Sequence, residues 1–302
     1  MGTLTNYKIS SDGSKKYIWE TEDGLHYESA LVDLDYRTPN KVICVSSAIG
    51  CTIGCKFCKT GQKYHRNLNN REIIEQIENI IQHDRLKSAS SSKMFEISFM
   101  AMGEPLLNYN NLIKTFDWLG KEYGDNLEVT VSTAGLVNKI YELAELNYPF
   151  SIDLQISLHS TDQYLRNKLM PGLRDNIKDI INASEYYARK VKRKVCINYL
   201  LLNNVNDSEK ELRALHKLLN PKYHYVKLSE INSNSSHFSK PPDSKYKIFY
   251  NFLLSKNIET KLFKSKGVDI GAGCGQLSAA EDIRLTSLNY NRTNSKKINT
   301  VF

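Results

Sequence analysis

The sequence predicts an α/β protein, folded as a partial (β/α)6 barrel with a small β-rich extension at its N-terminus. From residue 41 onward, short runs of β-branched residues alternate with longer amphipathic patterns, which is typical of successive βα units in a parallel sheet. Residues 1–40 instead show short alternating segments with Asp-Gly turn signals. We therefore expect the extension over residues 1–40, the barrel over residues 41–290 and a flexible polar tail over residues 291–302.

The alternation divides the barrel into strands and helices. The predicted strands are KVICVSS, KMFEISFMAM, LEVTVSTAG, FSIDLQISLHS, KVCINYLLL and YHYVKLSEI. The predicted helices are REIIEQIENIIQHDRL, NNLIKTFDWLGKEYG, VNKIYELAEL, IKDIINASEYYARKVK, DSEKELRALHKLL and SKYKIFYNFLLSKN. The active face of such a barrel lies at the carboxyl ends of its strands, so polar or glycine residues placed there are candidate ligands. They are Gly103, Glu104, Ser132, Ser157, His159 and Asn232.

Composition and charge narrow the class of protein. The chain has 302 residues, 41% of them hydrophobic, and it has neither an apolar run long enough to cross a bilayer nor the apolar core of a secretory signal. We therefore expect a cytoplasmic protein with no membrane partner. The net charge of +8 favours a polyanionic partner such as RNA, and Lys63, Arg66, Lys264 and Lys266 are candidate phosphate contacts.

Three cysteines, Cys51, Cys55 and Cys58, form a CxxxCxxC pattern directly after the first predicted barrel strand. Thiolates are the soft ligands that iron–sulfur clusters and zinc select. A zinc site would need a fourth nearby ligand, and the only close histidine is His65. Three thiolates would leave one iron of a cluster open to another ligand. The pattern favours an iron–sulfur cluster, with structural zinc and a remote fourth ligand as the alternative.

Longer motifs show a closer resemblance. The segments CVSSAIGCTIGCKFCKTGQ, FMAMGEPLLN, VTVSTAG, ISLHS and DIGAGCGQL together resemble the RlmN/Cfr family of radical S-adenosylmethionine (SAM) RNA adenosine methyltransferases, and the RlmN-like branch in particular. The resemblance implies a [4Fe-4S] cluster on the three cysteines, and SAM bound by the six residues at the strand ends. It also implies that SAM is used twice per turnover. The family's helical N-terminal accessory domain has no counterpart in the residues before Cys44.

Two further cysteines carry the chemistry that the resemblance implies. Cys274 would accept a methyl group from one SAM, and a 5′-deoxyadenosyl radical from a second SAM would take hydrogen from that methyl group. The carbon radical would then add to an adenine ring carbon, and Cys44 would release the product by forming a disulfide with Cys274. Glu28 resembles a glutamate of the family's active site, with an ordinary strand glutamate as the alternative. Cys196 is interpreted as a buried small hydrophobic residue.

The resemblance also implies the substrate and the partners. The substrate would be adenine in rRNA and/or tRNA, methylated at carbon 2 rather than carbon 8. An electron donor such as flavodoxin or ferredoxin would reduce the cluster. Two alternatives remain open: the same chemistry on another RNA or a nucleotide, and a non-catalytic RNA-binding metalloprotein.

Overall fold

A computed structural model describes residues 2–34, 41–86, 95–232 and 237–278. It confirms the α/β class and the barrel: ten strands form one sheet, which stays open between its first and last strands in the described part of the chain. The tail predicted over residues 291–302 lies outside the described residues. A separate two-stranded ribbon precedes the first helix.

The N-terminal extension is part of the main sheet. Its strands are β1 (Gly2–Ile9), β2 (Lys15–Thr21) and β3 (His26–Asp33), which pair antiparallel in order. The two Asp-Gly turns join them, and Gly13 and Gly24 both have the positive φ that such turns require. Strand β3 then pairs antiparallel with β4 (Lys41–Cys44), the first strand of the barrel. The sequence predicted β2 and β3 but not β1.

The barrel strands run parallel to one another from β4 onward. After β4 come β5 (Ala48–Gly50) and β6 (Tyr64–Asn67), which form the small ribbon, and then β7 (Phe95–Phe99), β8 (Leu127–Thr133), β9 (Ser151–Ser157), β10 (Val195–Leu201), β11 (His224–Glu230) and β12 (Thr260–Phe263). The helices are α1 (Asn70–His83), α2 (Tyr109–Tyr123), α3 (Val137–Ala144), α4 (Gln163–Leu169), α5 (Ile177–Val191), α6 (Glu209–Leu218) and α7 (Asp243–Ser255). All six predicted strand–helix units are present. The structure adds α4 and β12, which are too short to show a clear period in the sequence.

Helix α1 shows why these boundaries occur where they do. Asn69 and Glu72 form a reciprocal capping box, in which each side chain accepts a hydrogen bond from the other residue's backbone amide. Ile73, Ile77 and Ile80 follow at helical spacing and are fully buried. The cap fixes the start of the helix, and burial of the isoleucines holds it against the sheet.

The two faces of the barrel strands differ in polarity. In β8, Leu127, Val129 and Val131 are fully buried in the core, whereas the alternate residues Glu128 and Thr130 face the lumen. The other central strands follow the same period of two, because successive side chains of a strand point to opposite faces. The lumen is therefore polar and can hold ligands, while the helix-covered face supplies the core.

Candidate active site

Two connected cavities occupy the lumen. The first lies at the carboxyl ends of the strands, and the second lies deeper, beside residues near the middle of the same strands. All three cluster cysteines, all six predicted SAM ligands and Cys274 line the first cavity: Cys51, Cys55, Cys58, Gly103, Glu104, Ser132, Ser157, His159, Asn232 and Cys274. Cys44 lines the second cavity, which Cys274 also reaches. The structure thus brings the predicted residues together, apart from Glu28.

Residues 51–62, here called the cysteine loop, bend tightly around the first cavity. Gly54 adopts a positive φ of 67°, and the backbone amide of Cys58 donates to the carbonyl of Cys55 at 3.1 Å. Burial raises the pKa of the Cys51 thiol to about 12 and that of Cys55 well above its usual value, and nearby Glu104 adds to both shifts. Buried thiolates need a compensating positive charge, which a metal centre supplies.

The donor set fits an iron–sulfur cluster, because three soft ligands face one cavity and each can bind a different iron. No three His, Cys, Asp or Glu side chains in the described ranges are arranged to hold a single metal ion. The geometry therefore gives no support to the zinc alternative. In a cluster, Cys51, Cys55 and Cys58 would hold three irons and leave the fourth facing the cavity.

Gly103 is required by packing. It has a φ of 100°, and a Cβ added there would lie 2.6 Å from Ser47 Oγ and 2.8 Å from Ala48 Cβ. The close approach at Gly103 is therefore to the chain's own backbone at the start of β5. This contact positions the following residue, Glu104, at the cavity wall.

The Glu104 carboxylate is buried at the end of β7. It accepts hydrogen bonds from the amide of Ala134 at 2.7 Å and from the amide of Leu106 at 3.1 Å. Burial raises its pKa to about 7, although these hydrogen bonds and the charge of Arg166 act in the opposite direction. Because a carboxylate has about four acceptor positions, Glu104 can still accept from the amino group of SAM.

A pH dependence of SAM binding follows from this pKa. The ionised carboxylate of Glu104 is a stronger acceptor than its protonated form for the amino group of the SAM predicted to bind here, so SAM affinity should rise as pH increases through about 7 and should weaken up to about tenfold per pH unit below it. Titration calorimetry with cluster-loaded protein measures this. The Glu104→Gln variant should bind more weakly and lose this part of the pH dependence. Identical pH profiles for the two proteins would contradict the assignment.

The other predicted SAM ligands have defined environments. His159 is buried and its Nδ1 accepts from the amide of Leu200 at 3.0 Å, while burial lowers its pKa to about 3. His159 is therefore neutral at physiological pH, with Nε2 protonated. Ser132 Oγ accepts from the Gln155 side chain at 3.1 Å. Asn232 Nδ2 donates to the carbonyl of Cys274 at 2.9 Å, which links a predicted SAM ligand to the predicted methyl carrier.

Residues 264–278, here called the thiol loop, carry Cys274 after β12. Two bonds attach this loop to the cysteine loop: the amide of Lys59 donates to the carbonyl of Gly275 at 2.9 Å, and Thr60 Oγ1 donates to the carbonyl of Leu277 at 2.7 Å. The N-terminal extension holds the loop's other side. The amide of Gly267 donates to Asp12 at 2.8 Å. These contacts leave the side chain of Cys274 exposed and close to the cysteine loop.

Glu28 lies under the thiol loop and lines neither cavity in the described part of the chain. Its side chain is 3% exposed, pairs with Lys16 at 3.0 Å and accepts from the amide of Ser278 at 2.9 Å. This arrangement anchors the loop, so the structure gives Glu28 a positioning role. The predicted catalytic role of Glu28 stays a prediction.

Cys44 and Cys274 lie close enough to affect each other electrostatically. Burial raises the pKa of the Cys44 thiol above its usual value, and the proximity of Cys274 adds to the rise, whereas Lys227 opposes it. Both cysteines are free thiols in this structure. Cys196 is buried on β10, as predicted.

Comparison with known proteins identifies the family. The model of the radical SAM superfamily matches residues 45–215. The dual-specificity RNA methyltransferase RlmN of Wolinella succinogenes is 36% identical over 286 residues, covering 89% of this chain and 78% of the relative. The probable dual-specificity RNA methyltransferase RlmN of Caldicellulosiruptor saccharolyticus is 38% identical, covering 92% and 79%. The chain belongs to the RlmN family of radical SAM RNA methyltransferases.

A solved structure agrees with this assignment. A radical SAM methyltransferase from Sphaerobacter thermophilus superimposes on the RlmN-family chain with a TM-score of 0.83 at 32% identity, covering 91% of this chain and 81% of that one. A structure of TYW1 shares the fold alone, with a TM-score of 0.52 at 16% identity. Among the described residues, no helix combines the length and apolar composition needed to cross a bilayer.

Sequence reasoning about this RlmN-family chain missed several residues of the site. Gln155 and Lys227 line both cavities, and the period of two in β9 and β11 could have indicated their inward direction.

Arg66, a candidate phosphate contact, pairs bidentately with Asp23 and also with Glu72. The positive charge of Arg66 is therefore balanced by two carboxylates of the protein.

Arg166 on α4 is the largest charged group buried beneath the site. Its Nε donates to the carbonyl of Leu158 at 3.0 Å, and its Nη2 donates to the carbonyls of Ser157 and Ala134. The Nη1 atom is buried with no hydrogen-bond partner among the described residues. Arg166 thus ties together the ends of β8 and β9, from which Ser132, Ser157 and His159 project.

Replacing Arg166 with methionine should destabilise the RlmN-family fold. The change leaves buried carbonyl groups without donors, so we expect a loss of about 2–4 kcal/mol in the free energy of unfolding. Anaerobic urea denaturation measures the loss. Arg213→Met is the matched control, because Arg213 is exposed and makes an i,i+4 pair with Glu209 that is worth about 0.5 kcal/mol or less. Equal midpoints for both variants would rule out the tethering role.

Proposed function

We propose that this protein methylates carbon 2 of an adenine in rRNA and/or tRNA, through a methyl group carried on Cys274. The observation that supports this most strongly is the position of Cys274, which lines both the cavity of the cluster cysteines and the deeper cavity that holds Cys44. A methyl group on this sulfur could lose a hydrogen atom in the first cavity and could react with the base in the deeper cavity. Direct methylation by SAM would need a nucleophilic carbon, which the adenine ring lacks.

The residues present divide the work between the two cavities. When bound, the cluster and SAM would supply the methyl group and the one-electron chemistry. Glu104, Ser132, Ser157, His159 and Asn232 would orient SAM in the first cavity. Cys274 would hold the methyl group between the cavities, held in place by the contacts of the thiol loop.

Cys44 would complete the reaction. After the methylene carbon has joined the base, the adduct radical would give up one electron, which the cluster could accept when bound, and would lose the hydrogen of the ring carbon as a proton. The thiolate of Cys44 would then attack the sulfur of Cys274. The S–S bond forms, the C–S bond breaks with its electron pair on the methylene carbon, and a proton completes the methyl group of the released base. Burial raises the pKa of Cys44 and therefore favours its neutral thiol form before the attack. An external electron donor such as flavodoxin or ferredoxin would supply reducing equivalents, and we place the reaction in the cytoplasm.

Anaerobic reconstitution tests the proposal. Purified protein should bind iron and sulfide, and with RNA and SAM carrying a deuterated methyl group it should yield 2-methyladenosine in RNA digests analysed by mass spectrometry. Each product should accompany one S-adenosylhomocysteine and one 5′-deoxyadenosine. Protein that holds zinc alone, with no product, would support the non-catalytic alternative. A methylated nucleotide other than adenosine in rRNA or tRNA would move the substrate elsewhere.

A further inference from the structure

Lys227 is a half-buried lysine in the middle of β11 that lines both cavities. Its ammonium group donates to Gln155 Oε1 and lies 4.7 Å from the centroid of the Phe263 ring. The ring contact and the amide hold the side chain across the lumen, beside the two cysteines of the methyl transfer. None of the sequence motifs involves this residue.

Gln155 fixes the direction of Lys227. The amide nitrogen of Gln155 donates to Ser132 Oγ at 3.1 Å and contacts Met100 Sδ at 3.3 Å, which leaves its oxygen facing Lys227. A continuous chain therefore runs from the predicted SAM ligand Ser132 to the deeper cavity. An ammonium group has three N–H donors, and within the described residues Lys227 makes one hydrogen bond, to Gln155.

The side chain of Lys227 lies in the lumen. No carboxylate lies within ion-pair distance of its Nζ in the ranges that the structure describes, in contrast to the lysine beside it in the sheet. That neighbour, Lys261, pairs in register with Lys227 across β11 and β12, and it lies over the Tyr225 ring at the same distance of 4.7 Å. Lys261 differs because it pairs with Glu259 at 3.3 Å and is 62% exposed.

The lining of the deeper cavity suits an uncharged polar ligand. Three carboxylates and three lysines line it, and Asp153 is already paired with Arg193, so charge alone does not select an anion: Glu96, Glu128, Asp153, Lys227, Lys261 and Lys266. Near Lys227 the wall also contains Met100 and Phe263, which suit a flat, uncharged ring. The cavity volume of about 540 Å³ is within the range that holds small ligands. An enzyme that modifies a base must take it out of the stack into such a pocket.

We propose that Lys227 recognises the target base by donating a hydrogen bond to a ring nitrogen next to the carbon that is methylated. This inference rests on the proposed function and deepens it. Either candidate carbon of adenine has such a nitrogen beside it. Lys227 would therefore set both the orientation of the ring and which carbon faces Cys274.

The same hydrogen bond would promote the addition step. The new carbon–carbon bond uses the unpaired electron of the carbon radical on Cys274 and one electron of the ring's C=N π bond. The other π electron stays on the adjacent nitrogen. A hydrogen bond from the ammonium group to that nitrogen lowers the energy of this electron distribution more than that of the starting ring.

The test compares Lys227→Met with Lys227→Arg and with Lys139→Met as the matched control. Lys139 also lies over an aromatic ring, 4.5 Å from the centroid of Tyr109, but it pairs with Glu142 and lines neither cavity. Single-turnover methyl transfer to RNA, started from protein already methylated at Cys274, should fall about 10- to 100-fold in Lys227→Met. The arginine variant should retain part of the rate because it keeps a donor, and the Lys139 variant should match the wild type. Methylation of Cys274 itself, followed by peptide mass, should be unchanged in all three.

Synthetic RNA gives a second measurement with the unaltered protein. Analogues of adenosine in which one ring nitrogen is replaced by CH should slow the wild type at one position, and the Lys227→Met variant should lose no further rate on that analogue, because both changes remove the same hydrogen bond. The proposal would be overturned if the wild-type protein methylated every such analogue as fast as unaltered RNA. It would also be overturned if, at every ring position, the loss caused by the analogue multiplied with the loss caused by Lys227→Met. A variant that fails to methylate Cys274 would overturn it as well. Wild-type protein that makes no methylated adenosine would instead defeat the proposed function.

Discussion

Cys274→Ala should retain its iron–sulfur cluster and lose RNA methylation below detection. Cys274 is the exposed thiol that faces both cavities, and it lies outside the three-cysteine loop. In the proposed route this sulfur carries the methyl group, and Cys44 would not replace it because Cys44 lines the deeper cavity and not the cavity of the cluster cysteines. Iron and sulfide content, together with mass analysis of RNA digests, measures the two expectations.

The matched control for this variant is Cys196→Ala. Cys196 is also a free cysteine, but it is buried on β10 and lines the deeper cavity away from the cluster cysteines. Its removal should therefore reduce stability slightly and leave RNA methylation detectable, whereas Cys274→Ala abolishes it. Methylated RNA from the Cys274→Ala protein would refute the covalent route. Loss of iron in that variant would mean that Cys274 contributes to the metal site instead.

Cys44→Ala should stop the reaction one step later, with RNA covalently attached to the protein. The sulfur of Cys44 is the group placed to attack Cys274 in the deeper cavity, so the variant should form the carbon–carbon bond and then fail to release the base. Denaturing gel electrophoresis of the protein with labelled RNA should show a stable conjugate. Peptide mass analysis should place the attachment at Cys274.

The double variant Cys44→Ala/Cys274→Ala is the control for this trap. It lacks the carrier sulfur, so it should form no conjugate with any RNA. A conjugate in the double variant would place the attachment on another residue. Normal release of methylated RNA by the Cys44→Ala protein would show that Cys44 does not resolve the product.

The sequence predicted the barrel well where its helices and strands are long enough to show a regular hydrophobic period. Helix α1 combines a capping box with three isoleucines at helical spacing, and β8 alternates without interruption, so both were recognisable from local pattern. Strand β12 and helix α4 were missed because they are short and depend on neighbours distant in sequence. Local pattern carries little information about such pairing.

The candidate site divides in the same way. Cys51, Cys55 and Cys58 are close in sequence, so their common cavity could be predicted from spacing. The bond that joins Lys227 to Gln155 spans two strands, and the ion pair of Arg66 with Asp23 spans two separate segments. Such contacts are set by the packed fold, and for this reason the sequence assigned Arg66 to RNA and overlooked Lys227.

The attachment of the thiol loop to Lys59 and Thr60 couples the ordering of the cysteine loop to the placement of the Cys274 sulfur. Any event that orders residues 51–62 also favours the bound arrangement of Gly275 and Leu277, and by reciprocity the docked loop favours the ordered cysteine segment. A molecule that has lost its irons would therefore hold its methyl carrier less firmly. Oxidative damage at the metal would thus disable both halves of the reaction together.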